Sequence, residues 1–555
     1  MGRTTCKNKN IYGGIKGMKA LSIGMLWGHL FAKQLYEYGV TTICIAPGSR
    51  STCLVKAIYE FKKFKITTHF DERSLAFYAL GAAKYARKPT AIITTSGSAV
   101  ANLLPALVEA KALHIPILCI TADRPPELHN CGANQTLKQD GLLSSSVVKQ
   151  YSSEVPAQCE HALNHFLTGI NDALQGLIRG PVHINIPFRE PFLDKHETDF
   201  SSLLSKVRFE FEKKESSTED VKPIGQRVSI TANKNVLCVI ANTVHRLDEA
   251  ALLKWSKEQG IALLSECNSS LSWSPLIGRC PDSVIKWMLD TNNTPDVIIC
   301  IGGKWISKML HTLLAHVPEC VLIHDFEESQ DWLKCADKEI KLHDINAFQQ
   351  VLSNLDASHD YYETLTNRFS IERRVKQRVD TPWNEASCLQ NLSPLIERFE
   401  TCFVGNSKSV RCVNSSVNIQ NNQFFTMTQR GLSGIDGLIS TACGITDISG
   451  KPAVAILGDL SFLYDVNGLA FLTNLNLPLM IIILNNNGGR IFESLPVKQE
   501  PSFESLFVMP QRISIKNIAQ AFKLDYEKLT SKVCCDRLLA SSQYIKKPIL
   551  IECNV

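Results

Sequence analysis

An aspartate and, one predicted strand later, a run of asparagines and glycines are well suited to binding a metal ion. Asp459 follows the apolar segment 452–457, and residues 485–489, Asn-Asn-Asn-Gly-Gly, follow the apolar segment 477–484. A carboxylate, an amide oxygen and a glycine carbonyl are oxygen ligands of the kind that Mg²⁺ takes while phosphates bind beside it. Glycine also lets the backbone approach a phosphate closely. The same residues suit an ordinary strand end and an Asn-Gly turn, so the spacing alone leaves both interpretations open.

These residues stand where predicted strands end. Short apolar runs that stop at Gly, Ser, Asn or Asp and precede helix-like segments predict βα units and a parallel sheet. The carboxyl ends of parallel strands meet at one edge of a sheet, so Asp459 and Asn486 should converge. The same pattern recurs along the chain and predicts strands at 42–46, 90–95, 115–121, 181–187, 235–240, 261–264, 296–301, 320–324, 401–404, 452–457, 477–484 and 548–552.

The strands fall into three groups, which predicts three α/β domains, each a mostly parallel sheet flanked by helices. We place them at residues 18–198, 199–370 and 371–555, with a charged linker near 194–225 and a second charged connection near 356–385 that should form a helix with loops. Residues 99–112 have the length and composition of a crossover helix in the first domain.

Bulk composition excludes several classes of protein. The chain is 45% hydrophobic and 20% charged with a net charge of +5, which excludes disordered, collagen-like and coiled-coil chains and gives no sign of a nucleic-acid partner. The odd number of cysteines, 19, scattered through apolar runs, predicts reduced core thiols and a cytoplasmic protein. No apolar run reaches the roughly 18 residues of a membrane span.

The pair formed by Gly458-Asp459 and Asn485-Asn486 resembles the signature of thiamine-diphosphate-dependent enzymes. The next signature position is usually Gly and is Leu460 here. Such enzymes also use a glutamate in another domain, and Glu72, at the start of a predicted helix, matches it. Taken alone, Glu72 would be an ordinary solvated acid in a first helical turn.

A wider set of motifs is similar to one family, the 2-succinyl-5-enolpyruvyl-6-hydroxy-3-cyclohexene-1-carboxylate synthases of menaquinone biosynthesis, in which Leu460 is usual. The middle domain shows almost none of this resemblance. The matching segments occur in the family's order at residues 47–51, 71–74, 121–128, 131–135, 405–411, 430–437, 458–461 and 485–492.

The resemblance implies a transferase that uses thiamine diphosphate and Mg²⁺, or Mn²⁺, to decarboxylate 2-oxoglutarate and add the resulting carbanion to isochorismate. It makes Glu72 the catalytic residue, at the cofactor's aminopyrimidine, and makes Asp459, Asn486 and Gly488 the metal ligands. Residues 18–198 then form a pyrimidine-binding domain and residues 371–555 a diphosphate-binding domain. The cofactor-binding residues implied are Glu72, Ile435, Gly458, Asp459, Leu460, Ser461, Asn486 and Gly488.

Both implied substrates are dianions, so their site needs cations and hydroxyl groups, and arginine suits planar carboxylates. By resemblance, Ser407, Arg411 and Arg430 bind the carboxylates at the thiazolium, and Phe492 forms an apolar wall. The residues implied for isochorismate are Ser49, Arg50, Arg124, Asn134 and Gln135.

One departure from the family lies in the middle domain. Where the family usually has an arginine that reaches the active site, alignment places Met309, with Lys304 and Lys308 as candidate substitutes. Arg490 is a further unusual cation that could compensate.

The resemblance also implies an assembly. In the superfamily the cofactor lies between the first domain of one chain and the third of another, so we expect a homodimer or homotetramer. We expect no membrane or nucleic-acid partner.

Two alternatives stay open at this point. The chain could be another thiamine-diphosphate enzyme, such as an acetolactate synthase or a 2-oxo acid decarboxylase, or a non-catalytic relative. The set of arginines disfavours the former, since monoanionic substrates need fewer cations. The joint presence of Glu72, Asp459 and Asn486 disfavours the latter.

Overall fold

A computed structural model describes residues 19–207, 228–271, 273–279, 281–375, 382–417, 419–541 and 545–555. Most of the predicted linker at 194–225 and part of the one at 356–385 lie outside these ranges. The described chain has the predicted α/β fold, with three large parallel sheets. Within these ranges, no helix combines the length and apolarity needed to cross a bilayer.

The first sheet has six parallel strands in the order β3-β2-β4-β5-β7-β6, and β1 pairs with β8 as a separate antiparallel ribbon. Its strands are β1 (Lys19–Ala20), β2 (Thr42–Ile45), β3 (Lys65–Thr68), β4 (Thr90–Thr94), β5 (Ile117–Asp123), β6 (Lys149–Ser152), β7 (Val182–Pro187) and β8 (Thr198–Asp199). Its helices are α1 (Ile23–Tyr38), α2 (Thr52–Phe61), α3 (Glu72–Ala86), α4 (Ser98–Ala101), α5 (Leu104–Ala112), α6 (Glu160–Leu174) and α7 (Ser201–Leu204).

The crossover predicted as one helix over 99–112 is divided into α4 and α5, so that prediction was wrong in detail. Pro105 lies in the first turn of α5. Proline has no N–H and fits the first turn of a helix better than its interior. The helix therefore restarts at Leu104.

The middle sheet has five parallel strands in the order β11-β10-β12-β13-β14, and β15 pairs with β9 beside it. Its strands are β9 (Val228–Lys234), β10 (Val236–Ile240), β11 (Ala262–Ser265), β12 (Val297–Ile301), β13 (Glu319–His324), β14 (Lys338–Lys341) and β15 (Leu352–Ala357). Its helices are α8 (Glu249–Gln259), α9 (Pro281–Asp290), α10 (Lys308–Leu314), α11 (Phe348–Val351) and α12 (His359–Val375).

The third sheet has six parallel strands in the order β17-β16-β18-β19-β21-β20. Its strands are β16 (Thr401–Val404), β17 (Phe425–Thr428), β18 (Ala453–Gly458), β19 (Leu479–Asn485), β20 (Asp525–Leu529) and β21 (Ile549–Asn554). Its helices are α13 (Glu385–Ile396), α14 (Lys408–Ser416), α15 (Leu438–Ser449), α16 (Asp459–Tyr464), α17 (Leu469–Leu472), α18 (Ile515–Ala521) and α19 (Lys532–Ser541).

The central strands are apolar because helices cover both faces of a parallel sheet. In β18 and β19, residues 453–457 and 479–484 are buried. Every cysteine in the described ranges is a free thiol, and several lie in the sheets, among them Cys44, Cys119 and Cys238. This agrees with the prediction of reduced core thiols.

The chain divides into two compact units. The first contains the first sheet together with residues 439–449 and 467–471, and the second contains the middle and third sheets. Inside the first unit, α3 crosses α15 in close contact, since a Cβ at Gly81 would lie 2.1 Å from the carbonyl oxygen of Thr441. A Cβ at Gly444 would lie 2.1 Å from the carbonyl oxygen of Tyr78. Only glycine allows the two helix backbones this approach.

We therefore expect Gly81→Ala to destabilise the protein by about 3 kcal/mol, because the added methyl group meets backbone that cannot rotate away. The measurement is the free energy of unfolding in urea. Gly450→Ala is the matched control, since Gly450 ends α15 at φ +66° with nothing within 4 Å of the added Cβ. That change should cost about 1 kcal/mol. Equal losses in the two variants would contradict close helix packing at Gly81.

Candidate active site

The predicted site residues of the second unit lie at the carboxyl ends of four adjacent strands. In sheet order, β17 leads to Arg430, β16 to Ser407, β18 to Asp459 and β19 to Asn486. Because all four strands are parallel, their ends open on one edge of the sheet, where open α/β sheets bind ligands.

A direct hydrogen bond joins the two motifs of this edge. The N–H of Gly488 donates to Oδ2 of Asp459 at 2.7 Å. Asp459 is the first residue of α16 and is 5% exposed. Burial raises the pKa of its carboxyl group above the ordinary value, and N–H groups including that of Gly488 oppose the rise.

Asn486 has one end of its amide bonded and the other end free. Its Nδ2 donates to Oε1 of Glu385 at 2.9 Å, whereas its Oδ1 is buried without a hydrogen-bond partner. Glu385 also pairs with Lys408. Burial would raise the pKa of Glu385, but the bonds from Asn486 and Lys408 outweigh it and hold the pKa below the ordinary value.

The two glycines after Asn486 pack against a neighbouring backbone segment. Gly488 has φ +123°, and a Cβ there would lie 2.2 Å from the carbonyl oxygen of Val508. The N–H of Gly489 donates to that same oxygen at 2.6 Å. Arg490 then bonds Glu493 at 3.2 Å and Glu504 at 2.7 Å. Its guanidinium thus holds this loop together, whereas sequence reasoning offered it as a compensating cation.

The residues present fit a hard divalent cation. A buried amide oxygen without a partner costs free energy unless something occupies it. Asp459 supplies a carboxylate beside it, and the carbonyl of Gly488, which accepts from Arg490 N–H at 2.9 Å, keeps a second lone pair. Among the described residues, no three His, Cys, Asp or Glu side chains cluster as a metal site. A cation here would therefore depend on amide and carbonyl oxygens and on phosphate.

The remaining predicted residues of the second unit follow the same four strands. Ser407 precedes α14 with φ +68°, and its carbonyl accepts from Arg411 at 2.6 Å. Arg430 donates to Oδ1 of Asn406 at 3.3 Å. Phe492 is 36% exposed and packs edge-on against Phe507 at 6.0 Å. Of the other predicted residues, Ser461 is buried and Ile435, Gly458 and Leu460 are half-buried.

The middle sheet contributes a buried glutamate that sequence reasoning missed. Glu266, which follows β11, is fully buried and accepts backbone N–H groups of Ile306 and Ser307, both at 2.7 Å. Burial raises its pKa to about 7, with Asp282 adding to the rise and Arg430 opposing it. Glu266 thus fixes the loop before α10 and lies within electrostatic reach of a predicted substrate residue.

The structure also places the residues of the unusual middle-domain segment. Met309 packs against the core beside the middle sheet. Lys304 holds its ammonium 5.9 Å from the ring centroid of Phe326, and Lys308 is exposed at the start of α10.

In the first unit, the predicted residues follow three strands of one parallel sheet, the neighbours β3 and β2 and, beyond β4, β5. Glu72 is the first residue of α3, which Asp71 caps by accepting N–H groups of Arg73 and Ser74. Oε2 of Glu72 accepts from Asn102 at 3.3 Å. Asn467 donates to Asp71 at 2.9 Å and so fixes the cap.

Two arginines lie close together in this unit. Arg50 is 2% exposed and donates to the carbonyl of Phe188 at 2.8 Å and to Glu190 at 2.9 Å. Burial and the nearby charge of Arg124 lower the pKa of Arg50, and Glu190 offsets part of this effect. The Nε atoms of Arg50 and Arg124 are both buried without a partner. Two neighbouring positive charges of this kind favour the binding of an anion.

The other predicted residues of this unit lie at the surface. Ser49, Asn134 and Gln135 are exposed. Gln135 has φ +56° and exchanges hydrogen bonds with Ser96, through Nε2 at 3.1 Å and through its carbonyl at 3.0 Å. Gln139, which was missed, is fully buried and accepts the N–H of Gly97 at 2.9 Å.

Few signals could have revealed the missed residues. Asn384 and Ser387 form a capping box, a spacing readable from the sequence, which places Glu385 at the start of a helix. Nothing local indicates that this helix begins beside the end of β19. Glu266 follows a recognisable strand, but its partners lie 40 residues later, in an irregular loop.

Comparison with known proteins agrees with this geometry. Residues 25–142 match the family described as thiamine pyrophosphate enzyme, N-terminal TPP binding domain. Residues 407–553 match the family described as thiamine pyrophosphate enzyme, C-terminal TPP binding domain. The first match contains Glu72, and the second contains Asp459 and Asn486.

Curated relatives match nearly the whole chain. A protein of Shewanella baltica is 33% identical over 531 residues, covering 92% of this chain and 91% of its own length. One of Proteus mirabilis is 33% identical with the same coverage, and one of Psychromonas ingrahamii is 32% identical, covering 91% and 89%. All three bear the name 2-succinyl-5-enolpyruvyl-6-hydroxy-3-cyclohexene-1-carboxylate synthase.

The pKa of Glu266 predicts a pH effect on stability. Between its ordinary pKa of 4.5 and about 7, the folded protein holds a proton that the unfolded chain releases. The stabilisation is therefore complete below the lower value and lost as the pH rises through about 7. Relative to Glu266→Gln, which stays neutral, the wild type should lose about 3 kcal/mol between about pH 4 and pH 8. Parallel pH profiles of urea unfolding for the two proteins would refute this.

Proposed function

The chain belongs to the family of 2-succinyl-5-enolpyruvyl-6-hydroxy-3-cyclohexene-1-carboxylate synthases, and we propose that it catalyses the reaction of that family. It is a thiamine-diphosphate-dependent transferase of menaquinone biosynthesis. Bound thiamine diphosphate would supply the chemistry, in which 2-oxoglutarate loses CO₂ and the resulting carbanion adds to isochorismate. The observation that best supports the proposal is the buried, unpartnered Oδ1 of Asn486, which follows β19, next to the strand that leads to Asp459.

The second unit would hold the diphosphate end. We assign Asp459, Oδ1 of Asn486 and the carbonyl of Gly488 to a Mg²⁺ ion, with Mn²⁺ as an alternative. Gly458, Leu460 and Ser461 at the start of α16 would lie against the diphosphate. We assign Ile435, half-buried ahead of α15, to the underside of the cofactor.

The first unit would bind the aminopyrimidine. Glu72 is assigned to hydrogen-bond a ring nitrogen of the aminopyrimidine. That bond would favour the form of the amino group that can act as a base. The cap by Asp71 and the bond from Asn102 support this role, because together they restrict where the carboxyl group of Glu72 can lie.

Cations and hydroxyls would bind the substrate carboxylates. We assign Ser407, Arg411 and Arg430 to the substrate at the thiazolium, with Phe492 as its apolar wall. Arg50, Arg124, Ser49, Asn134 and Gln135 are assigned to isochorismate. The Nε atoms buried without partners support the assignment of Arg50 and Arg124, since a bound carboxylate would offset the repulsion between the two charges.

We further propose a cytoplasmic homodimer or homotetramer, with three domains near 18–198, 199–370 and 371–555. The free thiols of the described residues support a reducing compartment.

The direct test is an assay with thiamine diphosphate, Mg²⁺, 2-oxoglutarate and isochorismate, in which the absorbance of isochorismate and the released CO₂ are followed. We expect equimolar consumption of the two substrates, dependent on both the cofactor and the metal. Consumption of pyruvate to acetolactate instead would replace the proposal by another thiamine-diphosphate activity. Absence of cofactor binding in calorimetry would indicate a non-catalytic relative.

Glu72→Gln should bind thiamine diphosphate but turn over at least about 100-fold more slowly, because glutamine cannot exchange the proton. Turnover and cofactor affinity are measured on the same preparation. Glu160→Gln is the matched control, since Glu160 is likewise the first residue of a helix in the first unit, at an exposed position. Wild-type turnover in the Glu72 variant would exclude the assigned role.

A further inference from the structure

Asn486 offers a metal ion a useful atom only in one of its two amide orientations. The side chain of asparagine has an oxygen that accepts and an NH₂ group that donates, and a rotation of the amide exchanges them. In one orientation Oδ1 is the free end, and in the other the NH₂ group, which cannot ligate a cation, takes its place. A neighbouring group must therefore determine which of the two amide orientations Asn486 adopts.

Glu385 makes that selection by its chemistry. An ionised carboxylate only accepts hydrogen bonds, so Oε1 of Glu385 can bond Nδ2 of Asn486 but not Oδ1. The bond, at 2.9 Å, leaves Oδ1 as the buried end without a partner. Reversal of the amide would place two acceptors against each other and a donor in the buried position.

Lys408 holds the carboxylate of Glu385 in place. Its Nζ pairs with the same Oε1 that accepts from Asn486. Both partners are partly withdrawn from water, with the side chains of Glu385 and Lys408 13% and 33% exposed. Glu385 is the first residue of α13, where the helix dipole favours a negative charge. Lys408 adjoins Ser407, so this contact also links the metal end of the sheet to the predicted substrate end.

We propose that Glu385 is a positioning residue that orients the amide of Asn486 so that Oδ1 can bind the divalent cation, with Lys408 securing Glu385. The inference rests on the proposed function, since it concerns the cation of that site. Glu385 contacts neither substrate nor metal in this scheme and acts through Asn486.

Cation binding tests this without reference to catalysis. The probe is Mn²⁺, titrated into protein saturated with thiamine diphosphate, with free Mn²⁺ measured by electron paramagnetic resonance. Glu385→Ala should weaken Mn²⁺ binding by about tenfold or more, the usual effect of removing a partner that orients a ligand. Glu385→Gln should bind within about threefold of wild type, because Lys408, which pairs with the same Oε1, would keep the oxygen end of the new amide towards Nδ2. Equal weakening in both variants would mean that Glu385 acts by charge, which overturns the proposal.

A second experiment, in the Asn486→Asp variant, separates the effect of Glu385 on orientation from the effect of its charge. In Asn486→Asp the side chain presents an oxygen at either end, so orientation no longer matters. Adding Glu385→Ala to Asn486→Asp should not weaken Mn²⁺ binding further and should relieve the repulsion between two carboxylates. A loss as large as that in the wild-type background contradicts the proposal.

Controls distinguish this inference from the function it rests on. Glu400→Ala removes another glutamate of the second unit that pairs with a lysine, Lys451, and should leave Mn²⁺ binding unchanged. Thermal unfolding of Glu385→Ala and Glu400→Ala shows whether either variant is folded. If wild type binds no Mn²⁺ with thiamine diphosphate present, the proposed function fails. If wild type binds it and Glu385→Ala binds equally well, only the role of Glu385 fails.

Discussion

The hydrogen bond from Gly488 N–H to Asp459 Oδ2 is the contact on which the arrangement of the second unit depends. It joins the first residue after β18 to the loop after β19, two strands that pair in parallel along the full length of β18. Because it occupies one carboxylate oxygen of Asp459, it fixes where the other can lie. Close packing of Gly488 and Gly489 on the 507–508 backbone holds the donor in place.

Parallel topology makes this contact possible, and the first unit has a sheet edge of the same kind. In each large sheet several strands end at the same edge, and residues distant in sequence meet there. In the second unit the edge combines a carboxylate, an amide oxygen and arginines. In the first unit it combines Glu72 with two arginines whose Nε atoms are buried without partners. The near-neutral net charge of +5 therefore conceals local clusters of positive charge.

The buried strands and the motifs at their ends could be predicted from the sequence. Strands such as β12 and β19 are continuous apolar runs, which parallel sheets require on both faces. The edge strands β3, β6, β14 and β20 were missed because each has at most one buried residue and their sequences, such as Lys-Glu-Ile-Lys in β14, show little apolar pattern. The break between α4 and α5 was signalled by Pro105, which the composition of 99–112 outweighed.

Contacts between side chains were less predictable than strand ends. Asp459 and Asn486 belong to a motif, whereas Glu385 and Glu266 act through partners 101 and 40 residues away, and no local pattern encodes such pairings. Arg490 is a further example. The sequence suggested it as a compensating cation, and its partners Glu493 and Glu504, both later in the chain, could not be read from that position.

In the proposed metal site, three oxygens of residues that follow β18 and β19 bind one divalent cation. The measurement that tests it most directly is an anomalous difference map from crystals grown with thiamine diphosphate and Mn²⁺. We predict one strong peak at about 2.0–2.3 Å from a carboxylate oxygen of Asp459, from Oδ1 of Asn486 and from the carbonyl oxygen of Gly488. A peak bound by other residues, or an Asn486 amide turned with Nδ2 towards the metal, would contradict the account.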